Sequence, residues 1–199
     1  GHNGSKSFIP EELDERAEMV MGMTGRDSVL RQGFDAAILL GYHSMSHTVS
    51  GVLCHTQSSL MWDNYWINGK LAGEIHQSAI LLGACDIPIT MVTGDDKTVE
   101  EARNLLGNDI ITVQVKKGLS REGALMYSPK KARAMIREGA KEAMKRIGKI
   151  APYKPEFPLK IRWQFKDSGI VDRYKGDAKR IDATTLEKIV TKPEDIIIP

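Results

Sequence analysis

The sequence predicts an α/β fold with a mainly parallel sheet core flanked by helices and a smaller, mainly β C-terminal part. Strand-like and helix-like segments alternate from Phe34 onward, the early strand segments are continuous apolar runs, and period-two alternation appears after residue 152. Continuous apolar runs are typical of strands buried on both faces, as in a parallel sheet. We therefore expect residues 1–151 to form the α/β core and residues 152–199 the β part.

The first elements follow from apolar runs, turn signals and helical spacing. Asn68-Gly69 between two β-type segments is a strong hairpin signal. Ile75 and Ala79 follow Glu74 at helical spacing, which places Glu74 in the first turn of a helix. The predicted elements are a short helix or a loop over 11–21, strands over 34–42 and 51–55, a tight turn at Asn68, and a helix over 74–82.

The later elements are predicted in the same way. Ser128-Pro129 places a capping side chain before a proline at the first helical position, which is a helix start. Residues 159–165 alternate apolar and polar side chains, as a half-buried strand does. The predicted elements are strands over 87–92 and 110–115, helices over 99–106 and 129–147, a strand over 159–165, and β structure over 181–198.

Composition and charge exclude several classes of protein. The 199 residues are 41% hydrophobic, which is enough for a buried core. The 28 basic and 26 acidic residues are scattered along the chain and give a net charge of +2, which does not indicate binding to nucleic acid. No apolar run approaches the roughly 20 residues of a membrane span, and residues 1–4 lack the features of a secretory leader. We expect a cytoplasmic protein in which Cys54 and Cys85 are reduced and buried.

The five histidines lie in the first 76 residues, together with Glu74. They are His2, His43, His47, His55 and His76. His43 and His55 each end a predicted strand, where ligands bind in open α/β sheets, and two imidazoles with one carboxylate form a zinc donor set. Their spacing matches no compact metal motif, so a surface or hydrogen-bonded role stays open for each. We expect His47 in a loop and His76 in a structural or surface position.

Other polar and aromatic groups have two interpretations each. Asp95 and Asp96 follow Gly94 and could bind metal or form an acidic pair, but we favour an ordinary turn and helix cap. Trp62, Tyr65 and Trp66 could line a substrate pocket or simply pack in a sheet. The sequence has no glycine-rich phosphate loop, nucleophile elbow or paired-cysteine metal motif.

Four blocks occur in a characteristic order and spacing. They are residues 41–43 (Gly-Tyr-His), 51–56 (Gly-Val-Leu-Cys-His-Thr), 67–74 (Ile-Asn-Gly, then Gly-Glu) and 88–96 (Pro-Ile-Thr-Met-Val-Thr-Gly-Asp-Asp). Together they resemble the zinc-dependent D-aminopeptidases associated with bacterial dipeptide-transport operons. The resemblance runs through nearly the whole chain. It implies hydrolysis of short peptides that begin with a D-amino acid.

The resemblance also implies the site residues. By position, His43, Glu74 and His2 match metal ligands of a binuclear zinc site, and His55 matches the catalytic nucleophile or base. The family's Asp-x-Glu ligand pair, at the end of its first strand, has no counterpart in this sequence, so we expect at most one weakly held zinc ion. The resemblance further implies a homo-oligomer, a ring-shaped decamer with its sites facing an inner channel.

Two other functions stay open at this point. A different metal-dependent amidohydrolase would use the same ligands, because a ligand set defines the reaction type better than the substrate. A non-catalytic assembly protein would keep the fold without a complete metal site.

Overall fold

Two sheets and the helices that cover them position the candidate site. The structure is a computed structural model that describes residues 9–20 and 29–197. The chain divides into two units, residues 1–32 and 33–199. In the described part of the first unit, a 3-10 helix spans Pro10–Glu12, where the sequence left a helix or a loop open.

The second unit contains the strands and helices that concern the site. The strands are β1 (Ala37–Leu39), β2 (Trp62–Ile67), β3 (Lys70–Leu71), β4 (Ile89–Asp95), β5 (Ile111–Ser120), β6 (Gly123–Met126), β7 (Leu159–Phe165), β8 (Lys179–Arg180) and β9 (Thr185–Val190). The helices are α1 (Glu74–Ala84), α2 (Asp96–Leu106), α3 (Pro129–Met144) and α4 (Ser168–Arg173), followed by a 3-10 helix at Pro193–Ile196.

The first sheet has the strand order β1-β4-β5-β6. Strands β1, β4 and β5 run parallel, and β6 returns antiparallel to β5. Every residue of β4 is buried, as in the central strand of a parallel sheet covered on both faces. The predicted fold class, a mainly parallel core flanked by helices with a β-rich part, is confirmed.

Helices cover this sheet through separate apolar clusters. Helices α1 and α2 share one cluster with β1 and β4, in which Ile75 and Ala102 pack with Leu39. Helix α3 contributes Ala143 to a second cluster with Met91 of β4 and with β5. Because α2 begins directly after β4, its first turn lies at the carboxyl end of the central strand.

The second sheet is antiparallel, with the strand order β3-β2-β7-β9-β8. Its core includes Ile161 and Trp163, both fully buried. The predicted hairpin turn joins β2 to β3, with Asn68 at φ 49° and Gly69 at φ 79°, the left-handed pair that tight hairpins require. The sheet takes strands from both sides of residue 151, and the division of the chain at that residue stays a prediction.

The strand expected over residues 51–55 is wrong. The segment is a series of turns, because Ser50 and Leu53 have left-handed φ values of 58° and 52°, which reverse the chain. The Leu53 N–H donates to the carbonyl of Arg121 at 2.7 Å, beyond the end of β5. His55 is therefore carried by a loop.

The cysteines form no disulfide, and both are half-buried, not fully buried as the sequence predicted. Over residues 9–20 and 29–197, no helix has the length and apolar character needed to cross a membrane. The cytoplasmic location stays a prediction.

Candidate metal centre

His43 lies just past β1, at the carboxyl end of the parallel sheet. Gly41, at φ 70°, turns the chain there, and the Tyr42 N–H donates to the carbonyl of Thr93 in β4 at 2.9 Å. This is the edge of an open α/β sheet where ligands bind. The His43 Nδ1–H lies 3.1 Å from the Ser44 carbonyl and donates to it, since a carbonyl can only accept. That bond leaves Nε2 as the nitrogen with a lone pair for metal.

Glu74 is the first residue of α1, directly after the N-cap Gly73. The positive end of the helix dipole favours a carboxylate at this position. Its Oε1 accepts a hydrogen bond from the Gln57 backbone N–H at 2.8 Å, and His43 Nε2 lies 3.6 Å from the same oxygen. The helix start therefore presents a carboxylate to the His43 ring.

His55 is 8% exposed and faces the same carboxylate. Its Nδ1–H donates to the Leu53 carbonyl at 2.6 Å, which leaves Nε2 with a lone pair, 3.8 Å from Glu74 Oε1. The His55 backbone N–H donates to the Ser44 carbonyl at 3.3 Å, the same carbonyl that binds the His43 ring. One buried peptide group thus fixes both histidines.

The donor atoms of His43, His55 and Glu74 lie within 4.8 Å of one another. Two ligands that bind one tetrahedral zinc ion at about 2.1 Å are about 3.4 Å apart. The distance of 3.6 Å from His43 Nε2 to Glu74 Oε1 is close to that value. Imidazole nitrogen and carboxylate oxygen are also zinc's common ligands. The residues present therefore fit a zinc ion.

The two imidazoles are stacked, with ring centroids 3.9 Å apart and planes inclined by 20°. A metal ion lies in the plane of the imidazole that binds it, at about 2 Å from the nitrogen. The planes of the two rings are nearly parallel and do not intersect within about 2 Å of either nitrogen. A single ion therefore cannot lie in the planes of both imidazoles. In this arrangement only one of the two histidines could bind an ion together with Glu74, while the other would face the site from the side.

A cavity of about 550 Å³ opens beside His55. The residues that line it include His55, Trp62, Asp63, Arg121 and Lys166. A volume of this size lies within the range of small-molecule sites. Of the stacked pair His43 and His55, His55 is the one that lines this cavity.

Glu101 of α2 lies close to this group. Burial raises the pKa of its carboxyl to about 7, and the negative charges of Glu74 and Asp95 act in the same direction. A hydrogen bond from the Met45 N–H opposes the rise in pKa. The site therefore contains a second carboxyl beside Glu74, held away from water.

Comparison with known proteins identifies the family. The profile of the D-aminopeptidase family matches residues 1–197. The chain belongs to the D-aminopeptidase family. The resemblance inferred from the four blocks is confirmed by this match.

A curated sequence and a solved structure that are similar to this D-aminopeptidase family member both come from Bacillus subtilis. The D-aminopeptidase of strain 168 is 31% identical over 159 residues, which are 77% of this chain and 56% of the relative. The chain thus spans about half the length of that curated relative. The solved structure described as Zn-dependent D-aminopeptidase DppA, a self-compartmentalizing protease, matches with a TM-score of 0.83 and 26% identity, covering 94% of this chain and 70% of that one.

The structure brings together His43, Glu74 and His55, while the roles assigned to them stay proposals. His2, the other predicted ligand, lies outside the described residues. His47 lies in a loop, as expected, where its Nε2–H donates to Asp63 Oδ1 at 2.8 Å.

His76 occupies a structural position on the side of α1 that faces Tyr153. Its Nε2 lies 2.9 Å from the Tyr153 hydroxyl, and the two rings meet edge to face. Burial lowers the pKa of His76 to about 4, so the imidazole is neutral at physiological pH. Of the structural and surface positions that the sequence left open for His76, this environment is the structural one.

The acidic pair after β4 binds backbone amides, as the cap interpretation predicts. Asp95 is the N-cap of α2, and its Oδ1 accepts from the Thr98 N–H at 2.7 Å. Asp96 Oδ1 accepts from the Gly118 N–H at 2.8 Å. Of the predicted aromatic group, Tyr65 is a core residue whose hydroxyl donates to the Ile196 carbonyl at 2.9 Å.

Sequence reasoning missed the contribution of Glu101. Glu101 shares a buried side of α2 with Thr98, Ala102 and Leu105. An acid at helical spacing within a row of small and apolar side chains is a signal that could have identified it.

Proposed function

We propose that this protein is a zinc-dependent aminopeptidase that hydrolyses short peptides with an N-terminal D-amino acid. The observation that carries the proposal is the approach of His43 Nε2 to Glu74 Oε1 at a distance that suits zinc, in a chain that matches the D-aminopeptidase family over residues 1–197. The relative described as a Zn-dependent D-aminopeptidase supports both the metal and the substrate class. The family match favours this activity over another amidohydrolase or a non-catalytic assembly protein.

In this proposal His43 and Glu74 hold the zinc, with His2 as a further ligand. Zinc, when bound, polarises the scissile carbonyl and holds the free α-amino group of the substrate. Because one end of the peptide is then fixed, the enzyme is an exopeptidase. The hydrogen bond from His43 Nδ1 to the Ser44 carbonyl sets the tautomer and orients the ring for this role.

His55 acts on the substrate and not as a ligand. Two features support this role. Because the two rings are stacked, His55 cannot bind the same ion as His43. His55 also lines the cavity. With Nδ1–H bound to the Leu53 carbonyl, Nε2 accepts a proton from the attacking water and returns it to the leaving amine. Direct attack by Nε2 on the carbonyl is the alternative role for the same atom.

The cavity beside His55 holds the part of the peptide that leaves. Its volume of about 550 Å³ is sufficient for a short peptide segment. The Trp62 ring offers an apolar surface, and Lys166, whose Nζ donates to the Ser59 carbonyl at 2.6 Å, adds positive charge.

We also propose that the chain forms a homo-oligomer and, more finely, a decameric ring with its sites facing an inner channel. The description of the B. subtilis relative as self-compartmentalizing supports an assembly of this kind. Leu125 and Met126 of the edge strand β6 are 67% and 68% exposed, and such apolar edges favour association. Light scattering that shows a stable monomer at high concentration would contradict this part of the proposal.

Zinc analysis of histidine variants tests the metal assignment. With zinc supplied in the buffer, the wild-type chain is expected to bind the ion and His43→Ala to bind far less of it. His47→Ala is the matched control, because His47 is a histidine of the same loop that binds Asp63 instead of Glu74, and its zinc content is expected to equal that of the wild type. Zinc retained in His43→Ala would refute the ligand role.

The substrate class is tested on D-alanyl-D-alanine and L-alanyl-L-alanine at equal concentration. We expect cleavage of the D-peptide, abolished by His43→Ala. Preferential cleavage of the L-peptide would contradict the proposed specificity while leaving the metallopeptidase chemistry in place.

A further inference from the structure

We infer that Glu101 is a positioning residue of the metal centre: its carboxylate fixes the chain segment after His43 against the start of the helix that carries Glu74. The inference deepens the proposed function and takes from it only that His43 and Glu74 bind the metal. Glu101 itself lies on α2, and it acts through the backbone of the two segments that supply these side chains.

The contact with the His43 segment is a hydrogen bond. Glu101 Oε2 accepts from the Met45 backbone N–H at 2.8 Å, across 56 residues of sequence. Met45 comes two residues after His43, so its amide fixes the chain close to the imidazole. Removing this acceptor would leave the Met45 N–H without the hydrogen bond, so the contact stabilises the segment.

The contact with the Glu74 segment is close packing at Gly73, the N-cap of α1. A Cβ atom at residue 73 would lie 2.8 Å from Glu101 Oε1 and 2.7 Å from Met45 Cβ. The φ of Gly73 is −119°, which any residue can adopt, so glycine is required here by space and not by backbone conformation. Three segments thus meet at one point, and Glu101 touches the other two.

The polar carboxyl of Glu101 makes a purely space-filling role unfavourable. A carboxylate removed from water costs free energy unless hydrogen bonds compensate it, and the charges of Glu74 and Asp95 act against its ionised form. An apolar side chain would fill the same space without this cost. An apolar side chain could not accept a hydrogen bond from the Met45 N–H, as Glu101 does.

A second carboxylate of the same region makes an analogous contact. Asp95 Oδ2 accepts from the Val52 N–H at 2.6 Å, three residues before His55. Asp95 also caps α2, so its removal affects folding and positioning together. Glu101 lies in the body of the helix and caps nothing, which allows its positioning role to be measured apart from folding.

The experiment compares Glu101→Ala and Glu101→Gln with Glu100→Ala in the full chain. Glu100 is the exposed neighbour on the same helix, paired with Lys97 at 3.0 Å, and serves as the matched control. Zinc affinity is measured by competition with a chromogenic chelator, and unfolding in urea is measured on the metal-free proteins. We expect Glu101→Ala to bind zinc about 10–100-fold more weakly, as loss of a supporting residue of a metal site does.

Glutamine keeps an oxygen that accepts from the Met45 N–H, so Glu101→Gln is expected to lose less than about threefold in zinc affinity. Glu100→Ala is expected to bind as the wild type does. A folded Glu101→Ala protein with wild-type zinc affinity would overturn the inference. Equal losses in the glutamine and alanine variants would also overturn it, because the charge and not the hydrogen bond would then be responsible.

Two further measurements decide the question if Glu101→Ala does not fold. Gly73→Ala drives a methyl group into the same contact from the helix side and is expected to weaken zinc binding, and an unchanged affinity would count against the inference. Hydrogen exchange of the Met45 amide is read without metal: we expect protection in the wild type and in Glu101→Gln. Rapid exchange of this amide in the metal-free wild type would overturn the inference, whereas a wild type that binds no zinc would refute the proposed function instead.

Discussion

The loop over residues 43–58 and the antiparallel second sheet are stabilised in different ways. In the sheet, strands β2, β7 and β9 pair backbone to backbone, and fully buried side chains such as Trp163 lie beneath them. Over residues 43–58 the chain forms turns and bends and contains no strand. Its residues with left-handed φ that are not glycine are His47, Ser50, Leu53 and Gln57.

In place of strand pairing, carboxylates from outside the loop bind its amides. Glu101 accepts from the Met45 N–H, Asp95 from the Val52 N–H and Glu74 from the Gln57 N–H, at 2.8, 2.6 and 2.8 Å. A few side chains thus fix the segment that supplies both histidines. We therefore expect substitutions in the loop to change function with little effect on folding, and substitutions in the sheet to do the reverse.

The largest effect is expected from His55→Ala, which tests the functional half of this comparison. Loss of a general base lowers kcat by about 10²–10⁴-fold. Zinc content is expected to stay at the wild-type level, because His43 and Glu74 remain. The measurement is turnover of D-alanyl-D-alanine together with zinc analysis. A variant that loses its zinc would make His55 a ligand, and normal turnover would remove it from the mechanism.

Trp163→Ala tests the expectation that substitutions in the second sheet lower stability and leave the site unchanged. Removing a fully buried indole from the core of the second sheet costs about 3–5 kcal/mol of unfolding free energy, measured in urea. The Trp163 Nε1–H is buried without a hydrogen-bond partner among the described residues, so Trp163→Phe loses no bond and is expected to be milder. Zinc affinity of either folded variant is expected to match the wild type. A large loss of zinc affinity would show that the sheet and the loop are coupled.

Asp95 contributes both to folding and to the site, because it caps α2 and accepts a hydrogen bond from the loop. Asp95→Ala removes the cap and leaves the Val52 N–H without its acceptor, for a combined cost of about 2–3 kcal/mol in urea unfolding. Asp95→Asn keeps one oxygen for the cap and is expected to recover about 1 kcal/mol of that loss. Activity is expected to fall in both variants, since the His55 segment loses its anchor. Full activity in Asp95→Asn would show that the Val52 contact does not matter for the site.

Gly69→Ala is expected to have the smallest effect. At φ 79° an alanine is strained by about 1 kcal/mol. Apart from the chain neighbours of Gly69, no described residue has an atom within 4 Å of the added methyl group, so the cost is that of the backbone. For a chain of this size, that corresponds to a decrease in Tm of about 2–4 °C, measured by thermal unfolding. Lys70→Ala, at the neighbouring exposed position, is the control and is expected to leave Tm unchanged. A change in the zinc affinity of Gly69→Ala would contradict the expectation that the hairpin between β2 and β3 does not influence the metal centre.

The sequence predicted the regular part of the fold well, because local pattern determines it. Strand β7 spans the residues whose side chains alternate, 159–165, and α3 begins after the predicted cap Ser128. In both cases the signal lies within a few neighbouring residues. The approach of His43 to Glu74 was expected from the ends of a strand and a helix together with the family resemblance.

The irregular part was predicted poorly, because contacts between distant residues determine it. The run over residues 51–55 looks like a strand, yet binding of Val52 to Asp95 and of Leu53 to Arg121 turns it into a loop. No local pattern records these partners. For the same reason the contact between Glu101 and Met45, 56 residues apart, could not be predicted from one sequence.

The peptide group of Ser44 has a consequence for engineering this scaffold. Its carbonyl binds both the His43 ring and the His55 amide, so the two imidazoles cannot be repositioned one at a time. Ser44 is fully buried, and a side chain at Gly51 would collide with its hydroxyl. We therefore expect few substitutions at positions 44 and 51 to be tolerated. New substrate preferences are more accessible through the cavity wall at Leu60, which is 86% exposed and can vary without moving either histidine.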